Sequence, residues 1–270
     1  MEPNVLTKLE TCEADLRSHL EDMRHHAASL TSVRATDLNI STMTVLVTLK
    51  VDGKIDLEHL VQIFPTLAPK IKNRPAMVKD PQGRVSRRGK VHSTFYNQIS
   101  IWYADDKARR NIKVFRNGSL HITGERSLRG NLEIALEVSA ILGRVLDIPV
   151  PVVSDFDIQM INTNFKIDVG IILGAMREAM ARHPGVTKAS YDPETYPGLN
   201  CKYATTSGRA ASVLTFNSGN IIITGLKSFQ EFRDTYVFIT GFIDQNLAAI
   251  RRQTFTPVPG SGQFLSQHTS

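Results

Sequence analysis

Apolar residues recur along this chain with two different periods, and the switch between them follows an order that occurs twice. Near the N-terminus Leu6, Leu9, Leu16, Leu20, Met23, Ala27 and Leu30 return at steps of three, four and seven, interrupted by Glu13. This predicts a helix with one apolar stripe on a charged background. Such a stripe serves a helix packed on its own domain and a helix that binds a partner or a second copy equally well. Residues 42–51 (TMTVLVTLKV) alternate and are β-branched, the mark of a strand, and residues 56–64 (DLEHLVQIF) turn helical. Beyond a basic stretch the pattern predicts strands at 95–103, 111–115 and 119–123 and a helix over 127–146. The second round runs in the same order: a strand at 156–167, a helix at 170–183, strands at 199–203, 212–216 and 220–224, and a helix over 229–250. Residues 254–270, rich in Pro, Gly, Ser and Gln without an apolar period, read as a disordered tail.

The two rounds are related residue by residue. Residues 115–124 (FRNGSLHITG) align without a gap on residues 216–225 (FNSGNIIITG), an offset of 216 − 115 = 101. Gly118 and Gly219 supply the positive φ of a tight hairpin turn. Gly124 and Gly225 end the following strand ahead of a helix. Phe95 and Tyr196 keep the same offset, so each half places an aromatic 20 residues before its hairpin phenylalanine. A single strand phenylalanine is most often a core residue. Two copies at one spacing in one element order are a repeat. The expected fold class is α+β, two pseudo-symmetric repeats joining their antiparallel strands into one curved, saddle-like sheet with helices on the convex face only. An apolar sheet face left in water would be a large exposed patch, so the other face needs an occupant. The expected domains are a helical extension over 1–35, a first repeat over 36–150 with a basic insertion at about 66–92, a second repeat over 151–251, and the tail at 252–270.

Charge adds one feature to this picture. The formal net charge is +6, and Lys70, Lys72, Arg74, Lys79, Arg84, Arg87, Arg88 and Lys90 face a single acid, Asp80, within one stretch. A loop with a phosphate-contacting or simply solvated basic surface is expected there. Cys12 and Cys201 stand in unrelated contexts, which argues against a disulfide framework or a zinc knuckle. No apolar run is long enough for a membrane span, and the N-terminus lacks a basic-then-apolar leader. His25, His26, His92, His121 and His183 offer no metal-ligand spacing, and no glycine-rich phosphate loop or nucleophile elbow is present. The acids Asp105 and Asp106 read as hairpin-turn residues. No enzyme, cofactor or metal is expected.

Residues 191–199 (YDPETYPGL) followed by 213–227 (VLTFNSGNIIITGLK) resemble the second repeat of the TATA-box-binding protein family, which there carries Y-E-P-E-L-F-P-G-L and then L-I-F-V-S-G-K, three apolar residues and T-G-A-K. Residues 156–159 (FDIQ) resemble the F-K-I-Q that opens the same repeat. The resemblance is specific in the second half and weaker in the first. It implies a general transcription initiation factor that binds and bends double-stranded, A·T-rich, promoter-like DNA through the minor groove. It implies partners too, a transcription factor IIB-like protein and the RNA polymerase machinery. It places intercalating wedges at Phe95, Phe115, Tyr196 and Phe216. Minor-groove positions fall on Thr44, Leu46, His121, Thr123, Met160, Asn162, Leu214, Ile222 and Thr224. Phosphate contacts fall on Arg126, Lys202 and Lys227, and partner-binding acids on Asp192 and Glu194. Location follows from the same resemblance: the nucleus or, for a viral member, the site of viral transcription in the host cytoplasm.

Departures from the family pattern sharpen the expectation. Its two central asparagines align with Thr44 and Met160, and Lys113 and His121 stand where the first repeat is usually apolar. Tyr196 replaces a wedge phenylalanine, Ser119 and Asn220 replace lysines, and Glu133 and Glu137 lie in a helix that is strongly basic in the family. Minor-groove bending therefore survives these changes better than a strict TATA preference does. Divergence of this kind occurs in viral members of the family. Two other readings stand beside it: a saddle-shaped protein-interaction scaffold that has lost DNA, and a nucleic-acid-processing enzyme.

Overall fold

The computed structural model describes residues 1–60, 71–72, 98–104 and 109–252. The expected strand start at Phe95, the turn acids Asp105 and Asp106, most of the basic insertion and nearly all of the tail lie outside the described residues. The chain runs α1 (Pro3–Ser29), β1 (Asn39–Lys50), β2 (Ile71–Lys72), β3 (Gln98–Ala104), β4 (Arg109–Phe115), β5 (Ser119–Glu125) and α2 (Leu128–Leu146). It continues with β6 (Val152–Lys166), α3 (Leu173–Ala181), β7 (Val186–Asp192), β8 (Tyr196–Ala204), β9 (Ala210–Thr215), β10 (Asn220–Leu226) and α4 (Phe229–Ile250). A helical turn also opens at Leu57, where Asp56 Oδ1 accepts from the His59 amide at 2.9 Å.

All described strands join one antiparallel sheet in the order β2-β3-β4-β5-β1-β6-β10-β9-β8-β7. The first strand of each half meets its counterpart at the middle, β1 against β6, and the other strands fan out on either side. The sheet is curved and unclosed, as the repeat predicts. Strand alternation decides which face is covered: Met43, Val45, Val47 and Leu49 of β1 are buried, as are Ile221 and Ile223 of β10 and Val213 of β9. These meet Leu132, Ala135, Val138 and Leu142 of α2 and Phe232, Tyr236, Ile239 and Ile243 of α4 in a single core. Each large apolar side chain so buried contributes about 1.5–3 kcal/mol, so this layer holds the fold.

Local signals set the helix ends. Ser127 caps α2 by accepting from the Gly130 amide at 3.0 Å, and α2 stops at Asp147 in the left-handed region (φ 52°). A reciprocal capping box of Ser228 and Glu231 starts α4. Both ends of α4 match the expectation, whereas α3 is shorter than expected. The Gly170 carbonyl accepts from the Arg252 amide at 2.8 Å, and Ile171 bridges to Arg251, so these residues are extended before the helix begins. Strand β7 is an element the hydrophobic pattern does not predict. It is mostly exposed and polar, and is a strand only because β8 supplies its ladder partners.

Helix α1 packs on its own fold. Val5, Leu9 and Met23 are buried against α4 and β6, while Leu6, counted in the expected stripe, is 41% exposed. Ion pairs accompany it: Lys8–Asp155 and Arg129–Glu13, both at 2.8 Å. Exposed pairs of this kind contribute about 0–1 kcal/mol each, so the buried apolar residues dominate the docking. Cys12 and Cys201 are both free thiols, and burial pushes the Cys201 thiol up to about 12. Among the described residues no helix is long and apolar enough to cross a membrane.

The hairpin glycines carry a testable part of this fold. Gly219 has φ +84°, and a Cβ there would lie 2.5 Å from the Ile167 carbonyl oxygen and 2.6 Å from that of Val169. Gly53 has a similar φ of +87° with nothing within 4 Å. Gly53→Ala should therefore cost only the left-handed strain of about 1–2 kcal/mol. Gly219→Ala should cost clearly more, read from urea unfolding midpoints. Equal losses would show that the close approach at Gly219 is unimportant.

Candidate nucleic-acid interface

The face opposite the helices is built by register. On β1, Thr44, Leu46 and Thr48 stand opposite Thr123, His121 and Ser119 of β5. Strand β4 then places Asn111 beside Thr123 and Lys113 beside His121, and β3 places Ser100 beside Lys113. In the second half Asn162 and Asn164 of β6 lie opposite Thr224 and Ile222 of β10. These are followed by Ser212 and Leu214 on β9 and by Lys202 and Asn200 on β8. All nine expected minor-groove residues share this face. It is less apolar than expected, however: Leu46, Met160, Leu214 and Ile222 are islands among hydroxyls, carboxamides and cations. The correction has a simple cause, since a face already lined with polar groups is soluble without a permanent cover.

At the centre the two halves make matching contacts. Thr44 and Thr123 approach through their hydroxyls at 3.3 Å, and the Thr224 hydroxyl donates to Asn162 Oδ1. The partners are 79 and 62 residues apart along the chain, so the first half carries 79 − 62 = 17 more residues between them. Asn162 Nδ2 also reaches the Thr42 hydroxyl at 3.5 Å. Register thus puts Asn162 beside Thr224, while Met160 faces Thr44 across the β1–β6 seam. An asparagine carboxamide remains near the centre two residues beyond the position that sequence alignment assigns.

Three of the four expected wedges are described, and none is sealed under the helices. Tyr196 is 42% exposed, Phe115 and Phe216 are partly exposed, and Phe95 lies outside the described residues. The Tyr196 and Phe216 rings pair with centroids 6.0 Å apart. Gly198 makes this possible, because a Cβ there would sit 2.9 Å from Tyr196 Cε1 and 3.0 Å from Phe216 Cε1. Phe115 and Phe216 hold equivalent hairpin positions, their carbonyls accepting from the Gly118 and Gly219 amides, each at 3.0 Å. A cavity of about 620 Å³ opens beside Phe216, lined by Asn39, Asn164, Lys166, Pro197 and Asn220 among others.

The expected phosphate contacts are dispersed. Arg126 is exposed in the turn before α2, Lys227 Nζ donates to Gln159 Oε1 at 2.8 Å, and Lys202 Nζ donates to the Ser212 hydroxyl. Lys202 thus stands on the open face in the row of Thr224. Asp192 and Glu194 lie exposed in the β7–β8 connection. There the Thr195 hydroxyl and the Glu194 amide donate to the Asp192 carboxylate and hold it below the usual carboxylate range. On the open face, burial and the neighbouring Lys113 ammonium lower the pKa of His121.

Sequence reasoning missed three features. Gly198 was signalled by the Pro-Gly pair directly after an aromatic. The Asn39–Asn164 carboxamide bond (2.9 Å) carries no motif. The largely buried Arg110–Glu125 pair (2.7 Å) joins β4 to the end of β5, just ahead of α2, with Glu125 also accepting from the Arg126 amide at 2.7 Å. In the second half Arg209 pairs with Glu231 at 3.5 Å, at a position not equivalent by the repeat offset, so each main helix has a carboxylate held by an arginine at or just before its first turn.

Residues 155–245 match the family model described as transcription factor TFIID (or TATA-binding protein, TBP). Across 237 residues the chain is 26% identical to a TATA-box-binding protein-like protein of Acanthamoeba polyphaga mimivirus, covering 75% of this chain and 64% of that one. It is 30% identical over 120 residues to the TATA-box-binding protein of Archaeoglobus fulgidus, covering 44% of this chain and 61% of that one. The chain thus spans less than two thirds of the length of these two relatives. The structure superposes on Methanococcus jannaschii TBP with a TM-score of 0.52 and 21% identity, over 78% of this chain and 99% of that one. The chain is similar to TBP and TBP-like proteins, and its residues 155–245 carry the match to the family model. That match lies wholly in the second half of the chain. That fits the departures at Lys113, His121, Glu133 and Glu137, which all lie in the first.

The pairing of the two exposed rings is directly testable. Gly198→Val should abolish the ring-to-ring nuclear Overhauser contacts between Tyr196 and Phe216 while leaving the α2 and α4 amide shifts in place. Persistence of those contacts would show that Gly198 does not position the pair.

Proposed function

We propose that this chain is a transcription initiation factor that binds duplex DNA with its open sheet face and bends it from the minor groove. The observation that supports this best is the Tyr196–Phe216 pair, two aromatic rings standing 6.0 Å apart at the edge of an uncovered sheet. Exposed aromatics in contact with each other lose apolar burial for no gain to the fold. Inserted at a base step they stack, and the cost of unstacking, about a few kcal/mol, is recovered as the opened groove spreads over the sheet.

The sheet face supplies what that groove requires. Minor-groove edges offer mostly acceptors, distinguishing A·T from G·C poorly. The Thr123 hydroxyl and the Asn162 carboxamide, oriented by the Thr224 hydroxyl, give donors at the centre, and Leu46, Leu214 and Ile222 give apolar contact on either side. Sequence preference then follows from how readily a site deforms, and is relaxed relative to a strict TATA reader. Arg126, Lys202 and Lys227 contact phosphates. Asp192 and Glu194 present carboxylates for a transcription factor IIB-like partner, which in turn brings RNA polymerase.

Bending is read by energy transfer between dyes at the two ends of a short A·T-rich duplex. Phe115→Ala with Phe216→Ala should remove the gain in transfer while the melting temperature changes little, because both rings lie outside the core. Undiminished transfer in the double variant would remove the wedge assignment. Lys227→Ala should weaken binding on all sequences alike and lower the salt slope by about 1. A sequence-selective loss would contradict its phosphate role. The scaffold reading predicts no change in transfer even for the unaltered chain.

A further inference from the structure

The two halves of the open face agree in register and disagree in charge. Two residues from Thr123, one row across the first half reads Leu46, His121, Lys113, Ser100. Two residues from Thr224, the matching row of the second half reads Asn164, Ile222, Leu214, Asn200. One row holds an ammonium and an imidazole side by side. The other holds two apolar side chains between two carboxamides.

Lys113 and His121 make no hydrogen bond or ion pair among the described residues, unlike Lys202 and Lys227, which are tied to Ser212 and Gln159. Basic groups directly opposite each other on a sheet are unfavourable, and here both are partly buried. Among the described residues, the carboxylate of Asp157 stands on the far side of β1, opposite Leu46. The fold gains nothing from this pair, so its natural complement is an occupant that is anionic and rich in acceptors. An A·T-only half-site is such an occupant: its minor-groove floor presents only acceptors, whereas each G·C pair adds an amino donor that opposes the Lys113 ammonium.

We propose that Lys113 and His121 set the polarity of binding, seating the first half of the saddle on the more A·T-rich half of a site and leaving the second half over the more mixed sequence. The inference rests on the DNA-binding reading above and goes beyond it by assigning a direction. A saddle with two equal halves would bind either way round.

The test uses the full chain carrying Cys12→Ser and Ala181→Cys, with a donor dye on the new thiol. Cys201 is buried and does not compete for label, and Ala181 is exposed at the end of α3, which packs on the outer strands β7 and β8. The duplex carries only A·T pairs, with TA steps, in one half-site and a mixed sequence in the other, with an acceptor dye at either end. Transfer should be stronger to the mixed end, corresponding to an orientation bias of about tenfold. Lys113→Leu with His121→Leu should bring transfer to the two ends to parity in the complexes that form. Lys113→Arg with His121 kept should keep the bias, which separates charge from packing. Circular dichroism of each variant confirms folding, and Lys113→Met with His121→Gln replaces the leucine pair if that fails to fold. Equal transfer to both ends in the unaltered protein, or a bias that survives loss of the Lys113 ammonium and the His121 imidazole together, overturns the proposal. Bending without polarity sinks this inference alone, whereas no duplex binding at all sinks the DNA reading together with it.

Discussion

The pairing of β1 with β6 is the interaction on which the rest depends. It runs along both strands, from Asn39 opposite Asn164 to Lys50 opposite Val152, and makes one sheet of two half-domains. A sheet this wide can be covered on one side by α2, α3, α4 and α1 and still leave its other side continuous. Were the halves separate, Thr44 with Thr123 and Asn162 with Thr224 would belong to unrelated surfaces. The seam brings both pairs to the middle of one face. It also sets Phe115 and Phe216 at the hairpins of opposite halves, where two wedges on one duplex need to be.

The helical layer and the open face follow different rules. Burial of aliphatic and aromatic side chains accounts for the former, and the Arg110–Glu125 and Arg209–Glu231 pairs anchor the helix starts within it. The open face is a compromise between solubility and complementarity. Hydroxyls and carboxamides keep it wetted when empty, and a few apolar islands with two exposed rings give an occupant something to gain. Helix α1 extends the layered side further, bridging α2 through Glu13 and β6 through Lys8 while its apolar residues rest on α4. The convex side of the second half is thus partly covered by the chain itself.

Much of this was legible in the residues. The offset between residues 115–124 and 216–225 predicts two equivalent hairpins, and both form with positive φ at Gly118 and Gly219. The boundaries of α4 follow from its apolar period and its capping box. Strand β7 was not legible, because its stability comes from ladder bonds to β8 and not from an apolar face. Asn162 meets Thr224 while Met160 meets Thr44, a placement that one-to-one alignment does not give because β6 shifts against β1 at a bulge. The polar character of the open face also escaped the pattern, since alternation reports which side chains are buried and not what the opposite side must bind. Leu6 shows the same limit in α1, where helical spacing allows more residues in the stripe than the neighbouring elements cover.

The central claim is that exposed rings of this sheet enter the base stack at two separated steps. Duplexes carrying a single 2-aminopurine at successive positions report this directly, because the base brightens when a neighbouring step opens. The account predicts that full-length protein brightens probes at two separated steps and leaves those between and beyond them quenched. Binding with no brightened position, or with brightening spread evenly along the duplex, would contradict it.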